Sequence, residues 1–316
     1  MLAPSAQLAR EAISLWRSRL QQPTRGEFIV TPLPRYSRKS AGATALLVLA
    51  LSTSVADAQA PVVSPAVHDP AGWLVHRVQS PDQRGETEIR VLLPDERAAA
   101  DRLPVVYVLP VEAGREHRYG DGLTEIKRRD LPNKQRAIFV APSFSHLPWY
   151  ADHPSEPTIR QESYFVQVVV PFIEKTYPAI DQPQGRLLLG FSKSGWGAWS
   201  LLLRHPDLFG RAAAWDAPLL LDQPGKYGSG EIFGTAENFA SYRISTALRA
   251  NAASLRASNR LVLTGYGGFR HEHQAVHALL QELKVPHDYR DGPARKHDWH
   301  SGWVPETVEL LLDGVQ

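Results

Sequence analysis

The residues best suited to chemistry lie in the stretch GFSKSG, where Ser192 follows Gly190 by two positions and Ser194 and Gly195 come next. A serine hydroxyl is a weak nucleophile at neutral pH and needs a base beside it. It becomes effective when a tight strand-to-helix turn lifts its oxygen above a sheet and aims the helix N-terminus at the developing oxyanion. Such a turn demands small neighbours. Gly190 meets that demand fully. Ser194, which stands where the G-x-S-x-G pattern has its last glycine, meets it in part. The apolar run GRLLLGFS (185–192) ahead and the small residues Gly195, Gly197 and Ala198 behind supply the strand and the thin helix start that the turn requires. The alternative is an ordinary turn in which Ser192 only caps a helix.

The base must come later in the chain, because the order in this architecture is serine, acid, histidine. His297 leads: its run, GPARKHDWHSGW, lies between the last strand pattern and the last helix pattern, and His300 in the same run is the alternative. His271, His273 and His277 fall at the start and in the interior of a helical pattern. The HEH that opens this pattern does not make a metal site, since residues two apart on a helix diverge. Two carboxylates qualify to orient the base, Asp216 at the end of RAAAWDAP and Glu272. Asp216 leads because an aspartate at a strand end among apolar neighbours calls for a partner. Its alternative is a turn residue before Pro218.

Several elements must position these groups. GWLVHRVQS (72–80) and GETEIRVLLP (85–94) read as an antiparallel hairpin across a PDQRG turn. LPVVYVLP (103–110), RAIFVAP (136–142), GRLLLGFS, RAAAWDAP (211–218) and NRLVLTGYG (259–267) are apolar runs of the kind found in strands buried on both faces. Helical spacing marks ESYFVQVVVPFIEKTYP (162–178), the run after Ser192, EHQAVHALLQELK (272–284) and PETVELLLDG (305–314). Strands alternating with helices predict an α/β fold, with a mostly parallel sheet and a leading antiparallel hairpin. Residues 219–258 are polar and glycine-punctuated and read as a lid segment. One domain is expected over 71–316, with 61–70 as a linker.

Composition narrows the classes. The 316-residue chain is 43% hydrophobic, enough for a full core, and its net charge of +2 gives no electrostatic footprint for nucleic acid. With no cysteine, disulfides, thiolate metal sites and cysteine nucleophiles are excluded. Residues 1–60 read as an N-terminal extension. Within it, about 35–58 carry Arg35, Arg38 and Lys39, an apolar run from Ala41 to Leu51, and the small-residue site Ala56-Asp57-Ala58. This is the layout of a secretory signal peptide, too short in its apolar part to span a bilayer, so an exported protein, periplasmic or secreted, is expected. The competing readings are a transit peptide and a buried helix. Met1 is the only methionine, so a start nearer the basic residues, which the signal layout favours, would use a non-AUG codon.

On LPVVYVLP, AIFVAP, VVPFIEKTYP, GFSKSGWGAWSLLLRHPDLFG and KHDWHSGW, the chain resembles the putative esterase (esterase D-like) family of the α/β-hydrolase superfamily over about residues 72–315. The resemblance implies an α/β-hydrolase fold with helices on both faces of the sheet, Ser192 as nucleophile and His297 as base. It implies no metal or organic cofactor. It also marks departures. The family's His-Gly pair after the first central strand is Pro110-Val111 here, which leaves the amides of Val111 and Lys193 as the oxyanion-hole donors. The family's aspartate after the penultimate strand falls near Gly268, which has no carboxylate. The expected activity is serine carboxylester hydrolysis, on small-molecule or carbohydrate esters such as acyl esters of sugars or aryl alcohols. Trp149, Tyr150 and Trp299 are read either as a substrate platform or as core. The alternatives are a non-catalytic binding protein of the same fold and an acyltransferase using the same triad. Oligomeric state is not legible in the sequence.

Overall fold

The apolar runs become the middle of a ten-stranded sheet, in the order β1-β3-β4-β6-β5-β7-β8-β9-β10 with β2 also on β3. A computed structural model describes residues 60–98 and 100–315. The signal segment expected at about 35–58, and the rest of 1–59, lie outside the described residues. The strands are β1 (Val62–Val63), β2 (Val67–His68), β3 (Leu74–Gln79), β4 (Glu86–Leu92), β5 (Val105–Val108), β6 (Ile138–Pro142), β7 (Arg186–Phe191), β8 (Arg211–Trp215), β9 (Leu261–Tyr266) and β10 (His287–Ala294). The expected hairpin is β3–β4, paired from Leu74↔Val91 to Gln79↔Glu86, and β4 joins β6 antiparallel. From β6 to β10 every ladder is parallel. Residues 61–70 do more than link. β1 and β2 both pair with β3, so their backbone groups find partners at the sheet margin.

The helices are α1 (Gly122–Arg128), α2 (Leu131–Gln135), α3 (Gln161–Tyr164), α4 (Val170–Thr176), α5 (Lys193–Arg204), α6 (Gly230–Phe233), α7 (Ala236–Tyr242), α8 (Ile244–Leu255), α9 (Arg270–Glu282) and α10 (Val304–Leu312). They cover both faces of the sheet, as the period of two along β5 makes plain. Val105 and Tyr107 join one core with Val169, Trp196 and Leu248, while Val106 and Val108 join another with Leu123, Ile126, Val304 and Val308. The helix expected over 162–178 is α3 and α4 joined by a π-helical turn, Phe165–Val169. Pro171 follows that turn. It has no N–H and its ring crowds the carbonyl four residues back, and a widened turn relieves this.

Residues 219–258, the segment expected as a lid, are largely a helical layer. Ile232, Phe233, Phe239, Tyr242, Ile244 and Leu248 are buried in the core beside α5. The glycine-punctuated polar run 222–229 is the mostly exposed connection ahead of α6, and the polar residues of α6–α8 form their solvent faces. Only the turn around Tyr227, between Gly225 and Gly228, stands out as an exposed aromatic. No helix of the described residues is long and apolar enough to cross a membrane.

The topology fixes where a site can form. After β5 the chain crosses to β6 on one side, then returns to lay β7 on the other side of β5. Crossovers therefore leave in opposite directions from this pair, and a crevice opens beyond the carboxyl ends of β5 and β7. The register Val108↔Leu189 sets the ends of β5 and β7 side by side, and Val111 and Ser192 both follow these ends.

Candidate active site

Ser192 sits between β7 and α5 with φ 54 and ψ −129, a left-handed conformation that costs a non-glycine residue about 1–3 kcal/mol. Its neighbours over-determine it. The Ser192 amide donates to the Trp215 carbonyl at 3.0 Å, and the Ser192 carbonyl accepts from Gly195 and Trp196. A Cβ on Gly190 would lie 2.0 Å from the Ser194 carbonyl oxygen, so that position tolerates glycine alone. Ser194 has a positive role: its hydroxyl donates to the Phe191 carbonyl at 2.9 Å and accepts from the Phe191 amide at 3.0 Å. The residue standing where the pattern has glycine thus clamps the neck of the turn.

His297 reaches Ser192 from the loop after β10. The Ser192 hydroxyl lies 3.0 Å from Nε2, and Nδ1–H donates to Asp216 Oδ2 at 2.6 Å. The loop is anchored by the Arg295 amide on the Tyr266 carbonyl, the Trp299 amide on the Tyr119 carbonyl, and the Trp303 indole on the Asp298 carbonyl. His300, the alternative base, turns the other way: its Nδ1 meets the buried Glu125, and its Nε2 faces the Asp121 amide. Burial raises the pKa of Glu125, but Arg129, His300 and Arg128 outweigh it, and the carboxyl is held below its usual range. His300 therefore ties the loop that carries His297 to α1.

Asp216 is fully buried, with φ 42, one residue past β8. Its carboxylate accepts from the Gly268 amide at 3.0 Å and the Phe269 amide at 2.7 Å, besides His297. Burial raises its pKa; the His297 contact and the amides of Phe269, Gly268 and Gly267 outweigh that and hold it below the usual carboxylate range. Glu272, the alternative acid, is engaged elsewhere: it accepts from the Leu220 amide at 2.7 Å, and burial raises its pKa. The aspartate that the family pattern sets near Gly268 is met here from the neighbouring strand. Gly267 and Gly268 supply the space and an amide, and a Cβ on Gly267 would lie 2.5 Å from Asp216 Oδ2.

Behind Asp216, the Ala217 amide donates to Nε2 of His273 at 2.9 Å, a contact that the helical reading of His273 did not anticipate. Burial pushes this imidazole down to about 4 from an ordinary 6.5, so it stays neutral and accepts. The unfolded chain takes up this proton below pH 6.5, whereas the native state refuses it until about pH 4. The stability that His273 contributes is therefore complete above pH 6.5 and is lost as pH falls. His273→Gln, which keeps an acceptor but does not titrate, should lose about 2–3 kcal/mol less than wild type between pH 7 and 4.5 in urea unfolding. Equal losses would assign the acid sensitivity to other groups.

Val111, buried, follows β5, and Lys193 opens α5. Neither amide takes part in the turn and cap hydrogen bonds of the described residues. Burial lowers the Lys193 ammonium, opposed by Glu112. Trp149, Tyr150 and Trp299, read above as a platform or as core, are core: each is at most 1% exposed. Trp149 packs on Trp196 and Phe233, and Trp299 on Phe191 and Trp303. His297 rests on buried Phe191 at 4.5 Å, and the partly exposed rings beside it are Tyr119, edge-on at 5.4 Å, and Phe269 at 5.9 Å, with exposed Tyr227 against Phe269. They sit in loops without a motif, so only the assembled fold reveals them.

Over residues 80–259 the chain matches the family described as "Putative esterase". Esterase Rv1288 of Mycobacterium tuberculosis (strain ATCC 25618 / H37Rv) is 26% identical over 164 residues, 49% of this chain and 34% of that protein. Esterase MT1326 of Mycobacterium tuberculosis (strain CDC 1551 / Oshkosh) matches to the same extent, so the match spans about a third of the length of these curated relatives. Among solved structures, an S-formylglutathione hydrolase from Agrobacterium tumefaciens is similar with a TM-score of 0.62 at 14% identity, over 80% of this chain and 99% of that one. A ferulic acid esterase is similar with a TM-score of 0.57 at 20% identity, over 80% and 95%. These structures share the fold. The family match takes in more than half of the chain, and the chain therefore belongs to the putative esterase family and is built on its α/β-hydrolase fold.

Proposed function

We propose that this protein is a serine carboxylester hydrolase that works through Ser192, His297 and Asp216. The observation that carries the reading is the unbroken chain of hydrogen bonds from Ser192 Oγ through His297 to Asp216. Ser192 Oγ attacks the ester carbonyl carbon while His297 Nε2 takes its proton, and Asp216 holds the imidazole in the required tautomer. The amides of Val111 and Lys193 donate to the oxyanion of the tetrahedral intermediate. His297 then returns the proton to the departing alkoxide, and the alcohol leaves. A water, deprotonated by the same imidazole, attacks the acyl-enzyme and releases the acid.

Esters of carbohydrates or aryl alcohols are the proposed substrates. Tyr119 and Phe269 support this, because they flank the imidazole that protonates the leaving group, and Tyr227 extends the aromatic surface outward. A ferulic acid esterase is among the similar structures, in agreement with a carboxylic ester as substrate. Export, expected from residues outside the described part, is retained as a proposal.

A fluorophosphonate probe, which phosphonylates an activated serine, tests the reading. Wild type should be labelled on the peptide containing Ser192, and folded Ser192→Ala should not. A folded wild-type protein that resists labelling would make the chain a binding module of the same fold.

A further inference from the structure

We infer that Tyr150 is a positioning residue for the oxyanion hole, holding the Pro110–Val111 peptide so that the Val111 amide faces the reacting carbonyl. The inference rests on the catalytic reading above and adds a residue that does not touch the substrate.

The starting point is what the strand end after β5 lacks. Pro110 has no N–H, so this turn cannot be tied down through its own amide. Its carbonyl is tied instead: the Tyr150 hydroxyl donates to the Pro110 carbonyl at 2.6 Å. A trans peptide is planar, with its C=O and N–H pointing in opposite directions. Fixing the Pro110 oxygen therefore fixes the direction of the Val111 N–H, which points away from the phenol. Val111 and Ser192 both lie just beyond the carboxyl ends of adjacent parallel strands, β5 and β7, which the pairing of Val108 with Leu189 sets side by side. The free amide is thus held beside the serine across the crevice.

Tyr150 is itself built to hold still. Its φ of 55 is left-handed, a conformation that a bulky residue keeps only when its surroundings enforce it. Gln161 Oε1 accepts from the amides of both Trp149 and Tyr150, at 2.8 and 3.0 Å. The ring packs edge-on against Phe144 at 5.2 Å. On the α5 side it lies so close to Gly197 that a Cβ there would be 2.1 Å from its Cδ2. Backbone, ring face and hydroxyl are each located by a different neighbour. Burial pushes the phenol pKa well up, so the hydroxyl stays a donor at every pH the enzyme meets. A tyrosine that only filled space would need a partner for its hydroxyl, but not a strained backbone or the loss of every side-chain atom at Gly197.

Tyr150→Phe removes one oxygen and leaves the ring. Losing an oxyanion donor outright costs about 100–1000-fold in kcat, and letting it swing should cost about 10–100-fold. Activity is measured on phenyl acetate, with kcat referred to serine sites titrated to completion with fluorophosphonate, so partial unfolding does not imitate the effect. The expected result is that fall in kcat with KM within about twofold, as for an interaction made only in the transition state. The affinity for phenylboronic acid, which forms a tetrahedral serine adduct, should weaken by a similar factor. Phe209→Leu is the control: Phe209 is buried and stacked on Phe165, away from Tyr150, so the change should lower thermal stability while leaving kcat and boronate affinity near wild type. An unchanged kcat in Tyr150→Phe overturns the inference. So does a loss that Phe209→Leu reproduces, since general loosening of the core would then account for it. In either case a wild type labelled at Ser192 leaves the catalytic reading standing, whereas an unlabelled wild type removes both.

Discussion

Asp216→Asn is expected to lower kcat on a simple aryl acetate by about 10⁴-fold with little change in KM, while Glu272→Gln stays within about threefold of wild type. The asymmetry follows from where each carboxylate is committed. Asp216 is buried, takes two loop amides and still presents Oδ2 to Nδ1 of His297 at 2.6 Å. An asparagine there would fill the same space. The Phe269 amide, the shorter of the two amide contacts, would hold the carbonyl oxygen at the Oδ1 position, so the NH2 would take the Oδ2 position that faces His297 and the Gly268 amide. That donor would force the proton from Nδ1 to Nε2, leaving no lone pair to accept the Ser192 proton. The protein would fold and bind ester but seldom attack it. Glu272 is spent on the Leu220 amide, and its loss should register as stability. Parallel kcat and unfolding measurements on both variants check this. A normal Asp216→Asn rate would remove Asp216 from the mechanism.

The acid also marks the limit of what was legible in the sequence. The strand runs at 103–110, 136–142, 185–192 and 259–267 announced a doubly covered sheet, because only strands buried on both faces are apolar throughout. The elbow was legible because strand, small residues and helix follow one another within a few positions. Asp216 and Glu272 could not be separated this way. Which strand end delivers a carboxylate to the histidine depends on the left-handed turn at Asp216 and on the glycine amides that receive it, and neither has a spacing signature. The aromatic residues were misleading for the same reason. Trp299 lies two residues from His297 in the chain, yet it is buried in the core with Trp149 and Tyr150, whereas Tyr119 and Phe269 come to His297 from separate loops. The 219–258 segment reads as polar because α6–α8 are short and keep wet faces. Its apolar residues are too widely spaced to announce a buried layer before the fold collects them.

On the proposed reading, the departures from the family pattern share one physical character: each is compensated by a hydrogen bond that the usual residue would not make. Ser194 replaces a glycine and uses its hydroxyl to brace the turn. Asp216 approaches from β8, leaving Gly267 and Gly268 to receive it. Pro110 gives up an amide and is held through its carbonyl. What must be conserved for ester cleavage is the arrangement of donors and acceptors around one carbonyl carbon, and several sequences can supply it.

That view makes a strong statement about His297. If Ser192 and His297 act as one unit, His297→Ala should cost about 10⁶-fold in kcat, and Ser192→Ala/His297→Ala should cost no more than either change alone. Independent contributions would instead multiply. The reason is mechanistic: without the imidazole the hydroxyl keeps its proton and is no nucleophile, and without the hydroxyl the imidazole has nothing to activate. Activity above the uncatalysed rate should persist in all three variants at about 10³-fold, from binding and the two oxyanion amides, which these substitutions leave in place. His300 gives the control. It sits three residues away but faces Glu125, so His300→Ala should loosen the loop and lower stability, yet retain most of the activity. A kcat for His300→Ala as low as that for His297→Ala would mean that the loop rearranges on binding ester and that His300 is the base.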